Sequence, residues 1–513
     1  MARLVRLVNT SAFASPSPDP SGIVYLSDSN SLLISDAEVE LTPVFQGNNT
    51  YETSLDGITI RFGNVLNFSA EPTGLAYNPG DRTLFISDDA NGSRRITRIR
   101  AGSDNIFGTS DDILVNRFRS LSFNNVNDAE DVTFDANSGN LWIANGLSDT
   151  IYQVTTNGTL LGSFSSSDFG LFDPEGLVVN TQSNNLLIVG DPADFVFEVT
   201  KSGRLVQKIY IGDVNPVKPA GIAIAPTSDG SSIQSIYIVD RGIDDRVDPN
   251  ENDGRLYEFT LENSLYAVSN NDNISLNGLT VADEDVVVYS SRTGQWTTYF
   301  DGSNVGLAGN RIDALHVEAD GNILLSLNTD TNFGTLGFVD DADILRFTPT
   351  STGSTTAGTF TRYFDGSDVG LNTNTEDIDA LAIAPNGDIL ISTNGSYSVP
   401  GVAGSDRDVL RFSAASLGEN TAGSFTLYLD GADVGLHNNE GEDIKGLSVF
   451  NDSELVLSTQ GNYDVTGLTG GGGDLISFSA NSLGSNTSGN FSLFSDDVVN
   501  GFGNNSISDF SIA

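Results

Sequence analysis

A strand–turn–strand unit returns five times in the first half of this chain. It reads SGIVYLSDSNSLLISD (Ser21–Asp36), TGLAYNPGDRTLFISD (Thr73–Asp88), EDVTFDANSGNLWIAN (Glu130–Asn145), EGLVVNTQSNNLLIVGD (Glu175–Asp191) and AGIAIAPTSDGSSIQSIYIVD (Ala220–Asp240). Short apolar runs flank a polar turn, the mark of paired strands. A hairpin of this kind buries little by itself, so the copies must stack on one another. The position of Gly22 recurs at 74, 131, 176 and 221, at steps of 45 to 57 residues. Two further strand-like runs follow a copy, as at Thr150–Val154 and Thr159–Phe164. Four strands per repeat of this length predict a propeller blade.

The fifth copy has a third strand at Arg255–Phe259, and Leu4–Val8 resembles the missing fourth. That strand would close the ring. Beyond about residue 262 a different repeat begins. TYFDGSNVGL (Thr298–Leu307), RYFDGSDVGL (Arg362–Leu371) and LYLDGADVGL (Leu427–Leu436) each lead into an inner-strand pair. The last copy, Phe491–Ala513, stops after its first inner strand, and Asn273–Leu276 and Asp285–Tyr289 are expected to supply its missing strands. The expected fold is all-β: two β-propellers of four-stranded blades, about five and four, closed by N- and C-terminal strands. The expected domains are 1–262 and 263–513. A six-bladed first ring that takes in residues 264–300, or one large ring, are the alternatives.

Composition narrows the partners. The chain carries 68 acids against 24 Lys and Arg, a formal charge of -44. Such a surface repels nucleic acid and anionic lipid. Crowded carboxylates favour a hard divalent cation, and Ca²⁺ prefers oxygen ligands. Cysteine is absent, and the two histidines are His316 and His437. Disulfides, thiolate zinc and a His-rich metal site are therefore excluded. No run reaches the roughly 18 apolar residues of a membrane span. The opening MARLVRLVNTSAFA is too broken for a cleaved secretory signal.

In each blade the first strand starts, the second ends and the third starts on one face, so acids at those places gather on one rim. The candidate metal ligands of the first half are Asp128, Glu130, Asp173, Glu175, Asp191 and Asp240. Glu130 and Glu175 are too long for ordinary turn capping, the common fate of a single Asp after a strand. The loop RGIDDRVDPNENDG adds Asp244, Asp245, Asp248, Asn250, Asn252 and Asp253, alternating oxygen donors before a glycine. It is not an EF-hand, because the glycine comes one residue late and the closing glutamate is missing. The loop Asp104–Asp112 is a weaker candidate. In the second half, Asp313 and Asp379 share a position held by Lys445 and Ser508 in the other copies, so a symmetric carboxylate ring fails. The third-strand loops offer Asp341, Asp343, Asp406 and Asp408 instead. Lys218 and Arg241 stand at the first rim as candidate binders of an anionic substrate.

The first half resembles bacterial propellers of the NHL, SdiA-regulated and phytase-like group, with D-P-E-G at Asp173–Gly176 as the shared motif. The resemblance covers about half the chain. It implies channel acids that hold calcium or another divalent ion, here Glu130, Asp173 and Glu175. The matching positions are Ser21, Thr73 and Ala220 in the other copies, and no phosphate-binding cluster of Lys and Arg is evident. The second half resembles secreted bacterial proteins bearing YFDGSDVGL repeats. The tail SISDFSIA is similar to type I secretion tails.

Together these readings predict an extracellular, calcium-binding double propeller, exported without a cleaved N-terminal signal. It would serve as a binding, adhesion or surface-structural protein. Expected partners are divalent cations, then a surface protein, a polysaccharide or a second copy of the chain. A metal-dependent hydrolase, a lactonase or phosphoesterase, is the alternative. Its metal would sit among Glu130, Asn145, Glu175, Asp191 and Asp240, activating water. His316 and His437 lack the context of a catalytic triad.

Overall fold

The computed structural model describes residues 2–90, 95–119, 128–230, 234–243, 247–248, 250–261, 264–269, 273–334, 336–437, 441–503 and 507–512. Among them, nine four-stranded and four two-stranded antiparallel sheets form. The chain divides into two compact units, Met1–Glu262 with Ser291–Gly294, and Asn263–Ser290 with Gln295–Ala513. Each is a β-propeller, with five and four blades.

In the first unit the inner strands are Pro20–Leu26, Pro72–Asn78, Ala129–Asp135, Phe172–Val179 and Pro219–Pro226. Each packs against the next, and the fifth returns to the first. The N-terminal strand Leu4–Asn9 pairs antiparallel with Arg255–Thr260 as the outer strand of the fifth blade. The cores lie between blades. Ile23, Leu32, Ile34 and Tyr51 of the first blade pack with Ala223, Tyr237, Val239 and Leu256 of the fifth, with Val8 against them. Alternation along each strand puts one apolar row on each neighbour, and each fully buried Leu or Ile contributes about 1.5–3 kcal/mol.

The second unit closes the other way. Ile507–Ile512 is the inner strand of a blade completed by Ser264–Ser269, Val286–Ser290 and Gln295–Phe300. This corrects two expectations. The second strand of that blade is Ser264–Ser269, not Asn273–Leu276, and residues 264–300 do not add a sixth blade to the first ring. Ile274–Leu276 instead pairs with Leu279–Val281 in a small hairpin between the blade's second and third strands. Equivalent hairpins occupy what read as acid-rich loops in the other blades, at Thr331–Val339, Tyr397–Gly404 and Tyr463–Gly470. The remaining inner strands are Ile312–Val317, Ile378–Ile383 and Ile444–Asn451.

Both axes are crowded. A Cβ at Gly74 would lie 2.5 Å from the Cα of Asp131, and one at Gly221 would lie 2.7 Å from the Ser21 carbonyl oxygen. Hence the glycine row at 22, 74, 176 and 221. The third blade breaks the row with Asp131, whose carboxylate accepts from the N–H groups of Val132 and Leu177 at 2.7 and 2.9 Å. The second ring carries the same device in fuller form. Asp509 accepts from Leu315, Leu381, Leu447 and Phe510 N–H groups at 2.6, 3.1, 3.1 and 2.7 Å. One carboxylate thus ties together all four inner strands. Within the tail, Ile507–Ile512 is an inner strand in this fold, with Ile507, Phe510 and Ile512 buried.

Candidate cation site at the rim of the first propeller

Three residues before the glycine row, at the entrances to the inner strands, stand Asp19, Glu71, Asp128, Asp173 and Lys218. Immediately before the row stand Ser21, Thr73, Glu130, Glu175 and Ala220. The exits of the second strands lie alongside, since Pro20 pairs with Asp36, Pro72 with Asp88, Ala129 with Asn145 and Pro219 with Asp240. Ring closure brings these ten strand ends to one rim.

Some of the rim acids are caps. Asp240 accepts from the Val217, Lys218 and Gly242 N–H groups at 2.9, 2.8 and 3.0 Å and from the Tyr257 hydroxyl at 3.2 Å. Asp36 and Asp88 hold their own entering segments in the same manner, through the Asp19 and Ala70 N–H groups. These carboxylates are spent on backbone, as short side chains after strands commonly are.

A buried cation takes a second set. Arg241 Nε lies 2.7 Å from Asp19 Oδ1, and its terminal nitrogens lie 3.6 Å from Glu38 Oε2 and 3.7 Å from Glu175 Oε2. Burial opposes its charge, but Asp19 and Glu175 outweigh that and hold the guanidinium pKa well above its ordinary value. Lys218 Nζ reaches Glu175 Oε1 at 3.0 Å. Arg241 and Lys218 are therefore partners of the rim's own acids. Asp19 and Glu38 were missed in the sequence. The signal was the acid-Pro pair before the inner strand, shared by Asp19-Pro20, Glu71-Pro72 and Asp173-Pro174.

Asp89, Asp128 and Glu130 are left. One oxygen of each lies within 4.8 Å of the others. Burial pushes Glu130 well above the usual carboxylate range, with Glu175, Asp89 and Asp128 adding to it. Burial, then Glu71, raises Asp89 to about 7. Gly146 makes the space. A Cβ there would lie 2.5 Å from Asp173 Oδ1, 3.1 Å from Asp128 Oδ2 and 3.3 Å from Glu130 Cγ. The Leu147 N–H fixes Asp128 at 2.8 Å. Three oxygen donors, a fourth at the edge and no nitrogen or sulfur suit a hard divalent cation. Beside them, Asp173, Glu175, Asp191 and Lys218 line a cavity of ≈ 230 Å³. A larger one, ≈ 370 Å³, opens at the opposite mouth among Tyr25, Tyr77, Phe134 and Ile224.

The structure thus brings Asp128 and Glu130 together, with Asp173 beside them. It sets Glu175 on the two cations, Asp191 out in solvent and Asp240 in a cap. Asn145 donates to Ser148 Oγ. The five groups expected of a hydrolytic metal site therefore face different partners. In the loop after Asp240, Asp244 and Asp245 lie outside the described residues. Asp248 accepts from the Asn250 N–H at 3.0 Å, Asn252 donates to the Ser11 carbonyl at 3.4 Å, and Asp253 accepts from the Ile243 N–H at 3.2 Å. The Asp104–Asp112 loop closes on itself, with Asp111 accepting from the Ser103 N–H at 2.7 Å and Asp112 from that of Gly108 at 2.8 Å.

In the second unit Asp343 and Asp408 are caps too. Asp343 accepts from the Asp340 and Gly366 N–H groups and pairs with Arg362. Asp408 accepts from those of Ser405 and Gly431 at 2.9 and 3.2 Å. Asp341 stands with Asp330 and Asp340 in a second acidic trio. Burial, then Asp340, raises it to about 7. Asp406 is half-buried beside Asp443. His316 is held neutral by burial, its pKa lowered to about 4.

No family model matches the chain, and no curated protein matches it. Similar solved structures include a streptogramin B lyase, at 13% identity over 76% of this chain and 95% of that one, TM-score 0.29. Luciferin-regenerating enzyme is 11% identical over 50% of this chain and 95% of that one, TM-score 0.32. The PQQ-bound aldose sugar dehydrogenase of Streptomyces coelicolor is 14% identical over 63% and 91%, TM-score 0.30. All three are β-propeller-like, and likenesses this distant decide nothing about the chemistry of this chain.

Proposed function

We propose that this is an extracellular binding protein whose first propeller holds a divalent cation, calcium by its donor set, among Asp89, Asp128 and Glu130. The observation that carries the reading is the cradle over Gly146, where carboxylates converge while the rim's own cations are committed to Asp19, Glu38 and Glu175. Left without a cation, these crowded acids must share protons. The bound ion would orient the rim for a partner, and the acid surplus keeps that partner from being nucleic acid. The D-P-E-G resemblance to calcium-holding propellers supports the same reading, and the acidity and lack of cysteine support export.

A second reading rests on the ≈ 230 Å³ cavity beside the carboxylates, with Lys218 on its wall. Water on the ion and an ester or phosphoester in that cavity would make a hydrolase. Thermal melting separates the two. Calcium should raise the Tm of the wild type over that in chelator, through a stabilisation of about 2.7 kcal/mol at 100-fold excess over Kd. Glu130→Gln should abolish that rise in the transition of the first unit. Turnover of lactone or phosphoester substrates that disappears in Glu130→Gln would transfer the assignment to the enzyme. A Tm indifferent to calcium would refute both.

A further inference from the structure

We propose that the second propeller holds a divalent cation of its own, bound against Asp377 and between Asp313 and Asp379 at one end of the channel axis. The site is separate from that of the first propeller.

The inner strands set the level. Asp509 receives N–H groups from all four, so the residues one step earlier, Asp313, Asp379, Lys445 and Ser508, face the axis together. Two steps further out come Arg311, Asp377 and Asp443. The cationic side chains are accounted for. Arg311 Nε binds Asp313 Oδ1 at 2.8 Å. Lys445 Nζ binds Asp379 Oδ2 at 2.7 Å, Asn394 Oδ1 at 3.1 Å and Asp443 Oδ2 at 3.4 Å. Asp313 Oδ2, Asp377 Oδ1 and Asp379 Oδ1 are buried and have no hydrogen-bond partner among the described residues. The three residues are 1%, 4% and 0% exposed.

A bare buried carboxylate oxygen is costly by itself. Three around one axis need a shared positive charge, and since their oxygens do not all lie within 4.8 Å of one another, a bound ion would draw them together. Asp313, Asp377, Asp379 and Asp443, with Asp341 and Asp406 behind them, outnumber Arg311 and Lys445, an excess of acid that a divalent ion would offset. Lys445 engages Asp379 through Oδ2, so the bare Oδ1 of Asp379 is left for another occupant. Burial, then Asp313 and Asp379, pushes the Asp377 carboxyl up to about 9. The donors are all oxygen, which selects calcium, or manganese at lower coordination. The rival occupant is a proton shared between the acids.

Calorimetric titration of the full chain with CaCl₂ decides between them. Asp377→Asn should bind one calcium fewer than wild type and melt no lower in chelator, because without an ion the raised Asp377 carboxyl already carries a proton and the amide replaces one neutral group by another. Glu130→Gln should lose a different ion, so the double variant loses both, and either site can fail without the other. Exposed Asp452→Asn should lose none. Unchanged stoichiometry in Asp377→Asn would overturn the proposal in favour of the shared proton. Should that variant not fold, crystals of the unaltered protein soaked in MnCl₂ provide the same decision. Anomalous density against Asp313, Asp377 and Asp379 supports the site, and its absence there overturns it.

Discussion

Asp509 stands where the other three blades carry Ala314, Ala380 and Gly446. It is fully buried, and burial pushes its carboxyl well above the ordinary range against the lowering pull of four N–H donors. Asp509→Asn keeps the shape but turns an amide against two of those donors. The loss should be about 2–4 kcal/mol, the cost of leaving two buried N–H groups without an acceptor. Urea unfolding measures it. Glu198 gives a pH prediction. Burial raises its carboxyl to about 7, against the lowering pull of Asn185 and Gln207. Unfolded, it loses its proton near the ordinary value of about 4.3. The folded state therefore holds more protons between about pH 4 and 7, and stability falls as pH rises through that window, by up to about 4 kcal/mol. In Glu198→Gln this part of the slope between pH 4.5 and 7.5 should vanish. At this scale Glu130 was legible because its length sets it apart from a capping Asp. Asp509 was not, because its function depends on four strands that only ring closure brings together.

At the scale of the element, the third strands of the second ring begin with a clamp. Asp285, Asp343, Asp408 and Asp474 each accept one N–H from the preceding hairpin, from Ala282, Asp340, Ser405 and Gly471. Each accepts another from the end of its own fourth strand, at Gly302, Gly366, Gly431 and Asp497. The clamp explains why an aspartate recurs here opposite the DG pair. It also explains why a periodic acid reads as a ligand, since capping and metal binding both ask for a short carboxylate at a strand end. The two roles separate experimentally. Asp408→Ala should lower stability by about 1–3 kcal/mol through its two orphaned N–H groups. The number of calcium ions bound should stay the same, and a drop by one would make Asp408 a ligand after all. The blade strands themselves were legible because their apolar alternation is strong. The small hairpins were not, because three-residue strands carry too little pattern to separate from loop.

The two rings use the chain ends differently, and this predicts different failures. Leu4–Asn9 is an outer strand, with Leu4 and Leu7 partly exposed. Its removal bares the edge of Arg255–Thr260 but leaves all five inner strands and the acidic rim in place. Ile507–Ile512 is an inner strand with every residue buried. Its removal takes away Asp509, uncovers Ser264–Ser269 and opens the four-bladed ring at its axis. Inner strands touch both neighbouring blades, so they carry more of the buried apolar area than outer ones, at about 25 cal/mol per Å². A chain lacking residues 2–9 should therefore keep a cooperative, calcium-responsive transition for its first unit at lowered Tm. A chain lacking residues 507–513 should lose the transition of its second unit altogether. Calorimetry of the two truncations, with protease digestion to show which half survives, tests the pair. Equal losses would mean that closure matters only as one more strand pairing. Unequal losses in the stated order would place the stability of each ring at its axis, where glycines bring the inner strands close and a single carboxylate holds their N–H groups.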